Sequence, residues 1–210
     1  MYKTGIETKQ SIVQCAKALF YQNGYKNTSV NQICQESNAK LGTFTYYFPK
    51  KNDLLTLLYT EYMQKCVDYI DRMEDNLKSP DHHLYVVMFY YMKLYSDEAT
   101  IRFHNEVLSI GSMNMWFHNT RVLISDFSGG TNEDPIFTLY VKADNAVRRE
   151  LNLNFIQDGK HTPEGVYALM KDIYTINAKL FDIDQKIMED SLARAFRFAK
   201  KHLDEQISLL

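Results

Sequence analysis

Lys40, Leu41, Gly42, Thr43 and Thr45 stand together at the front of a short helical stretch and offer a mixed chemistry. The lysine supplies a cation. The two threonine hydroxyls donate or accept hydrogen bonds, and Leu41 and the threonines present methyl groups. That combination suits the edges of bases in a DNA groove, where donors, acceptors and the thymine methyl are all on offer. Gly42 costs about 1 kcal/mol relative to Ala inside a helix. A helix accepts that loss more readily where something must approach its backbone closely. Lys50 and Lys51 stand at the start of the next helix, where the macrodipole disfavours cations. A phosphate would offset that placement.

Other chemistries find less support. His82, His83, His104 and His118 form no E-x-x-H or H-x-x-x-H pair that would hold a metal across one helix face. They read as solvated or internally satisfied histidines. Cys15, Cys34 and Cys66 form no C-x-x-C or zinc spacing and read as reduced core thiols. No metal, catalytic residue or cofactor is expected. The alternative to a binding protein is a helical-bundle metal-dependent enzyme, such as a di-iron carboxylate protein. That chemistry needs inward Glu residues and E-x-x-H pairs, and the pair is missing.

The elements that must position these side chains follow from periodicity. A first helix from about Ile6 to Asn23 carries Ile12, Ala16, Leu19 and Phe20 on one stripe, and Gly24 ends it. Thr28 or Ser29 caps a second, short helix with Val30, Ile33 and Cys34 on one face. Ser37, Asn38 and Ala39 form the break, Asn being tolerant of a left-handed helix end. A third helix runs roughly from Lys40 to Tyr47, and Pro49 stops it. Two short helices joined by a tight turn are the plan of a helix-turn-helix, whose second helix enters the major groove. The small core expected here contains Ile12, Ala16, Leu19, Phe20, Val30, Ile33, Phe44, Phe48 and Leu54, with Tyr25 as an anchor. A fourth helix from about Lys51 to Lys78, roughly 40 Å long, would brace it.

Charge is distributed in the same sense. The net charge is −2, yet the chain up to Asp53 holds seven lysines against Glu7, Glu36 and Asp53. The remainder holds 17 basic and 23 acidic residues. A basic N-terminal segment on an acidic body is a footprint for phosphate.

From Ile12 to Val30, IVQCAKALFYQNGYKNTSV, and on through Gly42-Thr43-Phe44, Tyr46-Tyr47-Phe48 and Lys51-x-Asp53-Leu54, the chain resembles the N-terminal domain of TetR/AcrR transcriptional regulators. The resemblance covers about a quarter of the chain. It implies that Thr28, Tyr46, Tyr47 and Lys51 hold phosphates, contacts that set register without reading sequence. It also implies that Lys40, Leu41, Gly42, Thr43 and Thr45 lie near base edges. Lys40, Leu41 and Thr45 depart from the residues common in the family, so no relative's operator transfers to this chain.

The implied fold class is all-α. An N-terminal three-helix helix-turn-helix domain (residues 1–50) would precede a C-terminal helical domain for ligand binding and dimerisation (residues 51–210). Within the latter, HHLYVVMFYYMKLYS from His82 to Ser96 is apolar nearly all round and should form the centre. Further helices are expected over Glu98–Ile110, Ser112–Phe127, Pro135–Gln157 and Pro163–Phe181, with a last one capped by Asp184. Ser128 to Asn132 reads as a loop. In the family the body encloses an inducer pocket. Met92, Tyr95, Phe103, Trp116 and Phe117 are its candidate lining here, suited to an apolar or flat ligand. The last two helices would pair across a homodimer through Leu169, Ile173, Ile176, Leu192, Phe196 and Ala199. The expected partners are therefore a double-stranded DNA operator, a small-molecule inducer and a second copy of the chain. Met1 to Thr8 is polar and no run reaches the ~18 apolar residues of a membrane span. A cytoplasmic repressor without a membrane partner is the expectation.

Overall fold

In the computed structural model, residues 5–110 and 135–210 are described. Among them the ordered elements are helices, with no strand. They are α1 (Gly5–Asn23), α2 (Val30–Ser37), α3 (Leu41–Tyr47), α4 (Lys51–Met73), α5 (Ser79–Leu94), α6 (Glu98–Ser109), α7 (Pro135–Asp158), α8 (Pro163–Leu180) and α9 (Gln185–Lys201). The helix expected over Ser112–Phe127 and the loop at Ser128 to Asn132 lie outside the described residues.

The ends are set by caps. The Ser29 hydroxyl accepts from the Gln32 N–H while the Gln32 side chain accepts from the Ser29 N–H, a reciprocal capping box. Asn38 closes α2 with φ 54°, the left-handed geometry. The Asp53 carboxylate accepts from the Lys50 N–H at 2.7 Å and opens α4. Asp97, Thr162 and Asp184 cap α6, α8 and α9 with their side-chain oxygens. α4 ends at Met73 rather than Lys78. Asp75 and Asn76 compete with the helix for backbone hydrogen bonds, and Lys78 turns extended to begin α5.

α1 to α3 and the first turns of α4 form the head. Ile12, Ala16, Phe20, Ile33, Phe44, Phe48 and Leu54 are buried there, with Leu19 and Val30 at the edge. The head core runs without a break into the body. α5 is its axis: every residue from Leu84 to Met92 is buried, and α9 lies along it. Phe103 of α6 joins the two parts. Its ring centre lies 5.2 Å from that of Phe20 and 6.2 Å from those of Tyr25 and Tyr59. Among the described residues no helix is long and apolar enough to cross a membrane.

Candidate nucleic-acid interface

α3 presents its front to solvent. Lys40 precedes it in extended conformation, and Lys40, Leu41, Gly42 and Thr45 are exposed, Leu41 by 53% despite being apolar. Thr43 is half-buried. A Cβ on Gly42 would meet nothing within 4 Å, so the chain itself gives no reason for a glycine there. The inner side of α3 is fixed by Phe44, whose ring packs against Phe48 at 5.7 Å. Thr45 Oγ1 donates back to Leu41 O and Gly42 O, both at 3.1 Å. Tyr46 is 79% exposed. Tyr47 is half-buried, and its hydroxyl donates to Gly5 O at 2.9 Å, tying α3 to the start of α1.

Thr28 and Lys51 are brought together, but both turn inward. Thr28 is buried and its hydroxyl donates to Gly24 O at 2.8 Å. Lys51 Nζ donates to Tyr25 O and Thr28 O, both at 2.8 Å, and stands 3.9 Å from the Tyr25 ring centre. Burial lowers its pKa, and the Glu106 carboxylate opposes that shift. In this structure the ammonium is spent on the carbonyls of the α1–α2 turn. The unfavourable cation at the start of α4 thus has an internal compensation that spacing did not reveal.

α6 holds the same turn from the body side. Glu106 accepts from the Lys26 N–H at 2.7 Å, and Arg102 donates to the carbonyls of Tyr21 and Gln22 at the end of α1. Gly24 has φ +81°, and a Cβ on it would come within 2.6 Å of the Glu106 carboxylate. The left-handed backbone there favours glycine. Sequence reasoning missed Arg102 and Glu106, because their partners lie about 80 residues away.

In the body, Met92, Tyr95 and Phe103 are buried as expected of a lining. Phe103 belongs to the head–body joint, whereas Tyr95 stacks on His161 and meets Phe155 edge-on. Trp116 and Phe117 lie outside the described residues. The body instead shows a buried polar group that sequence reasoning passed over. Asp144, Arg148 and Asn152 of α7 are each under 5% exposed, at positions that continue the Val141 and Phe155 core stripe. The spacing 141, 144, 148, 152, 155 was the available signal: polar residues at core positions of one helix face. Among the described residues no cluster of three His, Cys, Asp or Glu side chains is placed to hold a metal.

Leu169, Ile173, Leu192 and Ala199 are buried within their own chain, turned toward its own core. An amphipathic stripe shows that a face is covered, not by which chain. Ile176 and Phe196 keep partial exposure, Phe196 with its ring 4.6 Å from that of Tyr167. Ile187 is 60% exposed.

Residues 12–58 match the family described as bacterial regulatory proteins, tetR family. A Bacillus subtilis protein named as an uncharacterised HTH-type transcriptional regulator, YuxN, is 35% identical over 74 residues, 35% of this chain and 25% of its own. The fatty acid metabolism regulator protein of Bacillus subtilis is 33% identical over 67 residues, covering 32% of this chain and 33% of its own. The regulator HbdR of Aromatoleum is 27% identical over 128 residues, 60% of this chain and 53% of its own. The chain thus spans between a quarter and about half of the curated relatives it matches. Among solved structures, a tetR regulator from Streptomyces fradiae, TylP, superposes with a TM-score of 0.50 at 14% identity. That match covers 92% of this chain and 99% of TylP, and it supports the all-helical fold.

Proposed function

We propose, from the premise that its residues 12–58 belong to the tetR family of bacterial regulatory proteins, that this chain is a DNA-binding transcriptional regulator. The observation that carries the reading is the exposed front of α3. An apolar Leu41, an unpacked Gly42 and a basic Lys40 face solvent on a helix whose other side is locked into the head core. Lys40, Leu41, Gly42, Thr43 and Thr45 read base edges, and Tyr46 and Tyr47 stand beside them for phosphate. Thr28 and Lys51 act one step back, by shaping the α1–α2 turn. The relatives' names are those of regulators, and the helical-bundle enzyme has no support among them.

The partners proposed are a palindromic DNA operator, a second copy of the chain and a small molecule bound in the body. The domain division is proposed near residue 50, with the first turn of α4 stitched to the head through Lys51 and through Asn52, which accepts from the Tyr25 hydroxyl. The dimer would use the outward sides of α8 and α9, with Ile176, Phe196 and the exposed Ile187 in place of the four inward residues. Isologous pairing would set two copies of α3 on one side for a two-fold operator. Selection of duplexes from random DNA by the purified protein tests the reading. A palindromic consensus is expected, and recovery of unenriched sequence would contradict it. Sedimentation of Phe196→Glu tests the dimer: monomers are expected, and an unchanged dimer would remove that face from the interface.

A further inference from the structure

We propose that the buried group of Asp144, Arg148, Tyr174 and Asn177 recognises a neutral organic ligand carrying adjacent hydrogen-bond donor and acceptor groups, as a carboxamide or lactam does. The proposal rests on reading the body as ligand-responsive and gives that ligand a chemical class.

Asn177 is 1% exposed, and neither atom of its side-chain amide has a hydrogen-bond partner. Buried amides are almost always paired, because an unpaired one keeps the full penalty of leaving water. A leucine of the same shape would fill the place without that penalty, so packing alone does not account for an asparagine. Tyr174 stands one helical turn earlier on α8 and shares its face. Its ring centre lies 5.6 Å from the Arg148 guanidinium. Arg148 in turn holds Asp144, four residues before it on α7, through contacts of 3.3 to 3.4 Å. These are long for a charge-assisted pair. Arg148 also hydrogen-bonds the Tyr91 and Tyr174 hydroxyls, so the donor and acceptor left unspent in this group are those of the Asn177 amide.

Charge decides the ligand class. Asp144 and Arg148 cancel. Burial beside Arg148 pushes the His83 imidazole down to about 3, so it adds no charge. Burial raises Tyr174 to about 12, so it stays protonated. A carboxylate or an ammonium entering this site would bring an uncompensated charge into the interior. A neutral amide-like group brings a donor and an acceptor to match those of Asn177 and no net charge. This differs from the simply apolar ligand that the aromatic content of the body suggests.

The test uses the full chain and thermal unfolding, with phenylacetamide, phenylacetate and phenethylammonium at equal millimolar concentration. Phenylacetamide is expected to raise the melting temperature of the wild type, and the two charged analogues to leave it in place. Asn177→Leu is expected to melt about 2–5 °C higher than wild type and to lose the response. Asp144→Asn, which strips the guanidinium of its carboxylate, is expected to gain a response to phenylacetate. A lower melting temperature for Asn177→Leu would overturn the proposal. So would a charged analogue matching the amide on the wild type, no response to any of the three, or no phenylacetate response in Asp144→Asn. None of these readouts involves DNA. Loss of the operator reading would appear instead as wild-type protein that binds no duplex.

Discussion

In the head, buried hydroxyls are spent within their own turns: Thr28 on Gly24 O and Ser37 on Ile33 O, each within four residues. In the body, α7 places Asp144, Arg148 and Asn152 in the core, and α8 buries Asn177 without a hydrogen-bond partner for its side chain. The head is thus a finished unit. Among the described residues its buried side-chain polar atoms are paired, and the front of α3 is exposed. The body carries unsettled polar groups at its centre. A head whose polar groups are paired is thus joined to a body that bears an internal polar cost. The junction is specific: Phe103 in the aromatic joint, with Arg102 and Glu106 on the backbone of the α1–α2 turn.

The largest effect is expected where the two regions meet. Phe103→Ala empties a fully buried site between Phe20, Tyr25 and Tyr59 and should cost about 3–5 kcal/mol. Urea unfolding followed by circular dichroism checks it. A single transition shifted to lower denaturant fits the continuous core. An unshifted midpoint would mean that head and body do not share it.

The next effect separates the body by pH. Burial pushes His83 and His104 down to about 3, and the Tyr59 hydroxyl meets His104 Nδ1 at 2.7 Å. A histidine with a depressed folded pKa takes up its proton on unfolding. Its contribution is therefore full above the unfolded value of about 6.5 and is lost as pH falls toward 3. Each should contribute about 1.5 kcal/mol of loss between pH 6.5 and 5. Denaturation midpoints measured across that window, with His104→Gln expected to halve the dependence, test the assignment. A flat profile in the wild type would contradict it.

Lys51→Met probes the head. It removes two hydrogen bonds from a charged donor to the α1–α2 turn and should cost about 1.5–3 kcal/mol. DNA affinity should fall alike for all sequences. If stability is unchanged while affinity falls, Lys51 leaves the turn and contacts phosphate directly.

The smallest effect has the sharpest sign. Gly42→Ala adds a Cβ to open space and should stabilise α3 by up to about 1 kcal/mol, while weakening DNA binding by close-approach hindrance. A variant that is more stable and binds as well would show that Gly42 has no part in recognition.

The head was largely legible in the sequence because its signals are local. The Ser29 cap, the Asn38 break, the Pro49 stop and the 12-16-20 stripe each act within one or two turns. The inward roles of Thr28 and Lys51 were not legible, since spacing locates a residue on a face without telling whether its tip bends back to the backbone. The body was legible in its axis, where HHLYVVMFYYMKLYS could only be a buried helix. It was not legible in Phe103, whose aromatic ring suits a pocket and a joint equally. Nor was it legible in Leu169, Ile173, Leu192 and Ala199, which periodicity marks as covered without saying by what. Asp144, Arg148 and Asn152 were hidden by their polarity, although their spacing belongs to the core face.

The central claim is that the front of α3 reads DNA while the rest of the head holds it in place. Fluorescence anisotropy on a duplex selected by the protein, titrated at several salt concentrations, tests it most directly. The affinity of the wild type is expected to fall linearly on logarithmic axes with salt. Lys40→Ala and Thr43→Ala should each change base preference, Thr43→Ala with the slope intact. Folded wild-type protein that binds no duplex at low salt, or binds with an affinity indifferent to both salt and the residues of α3, would contradict the account.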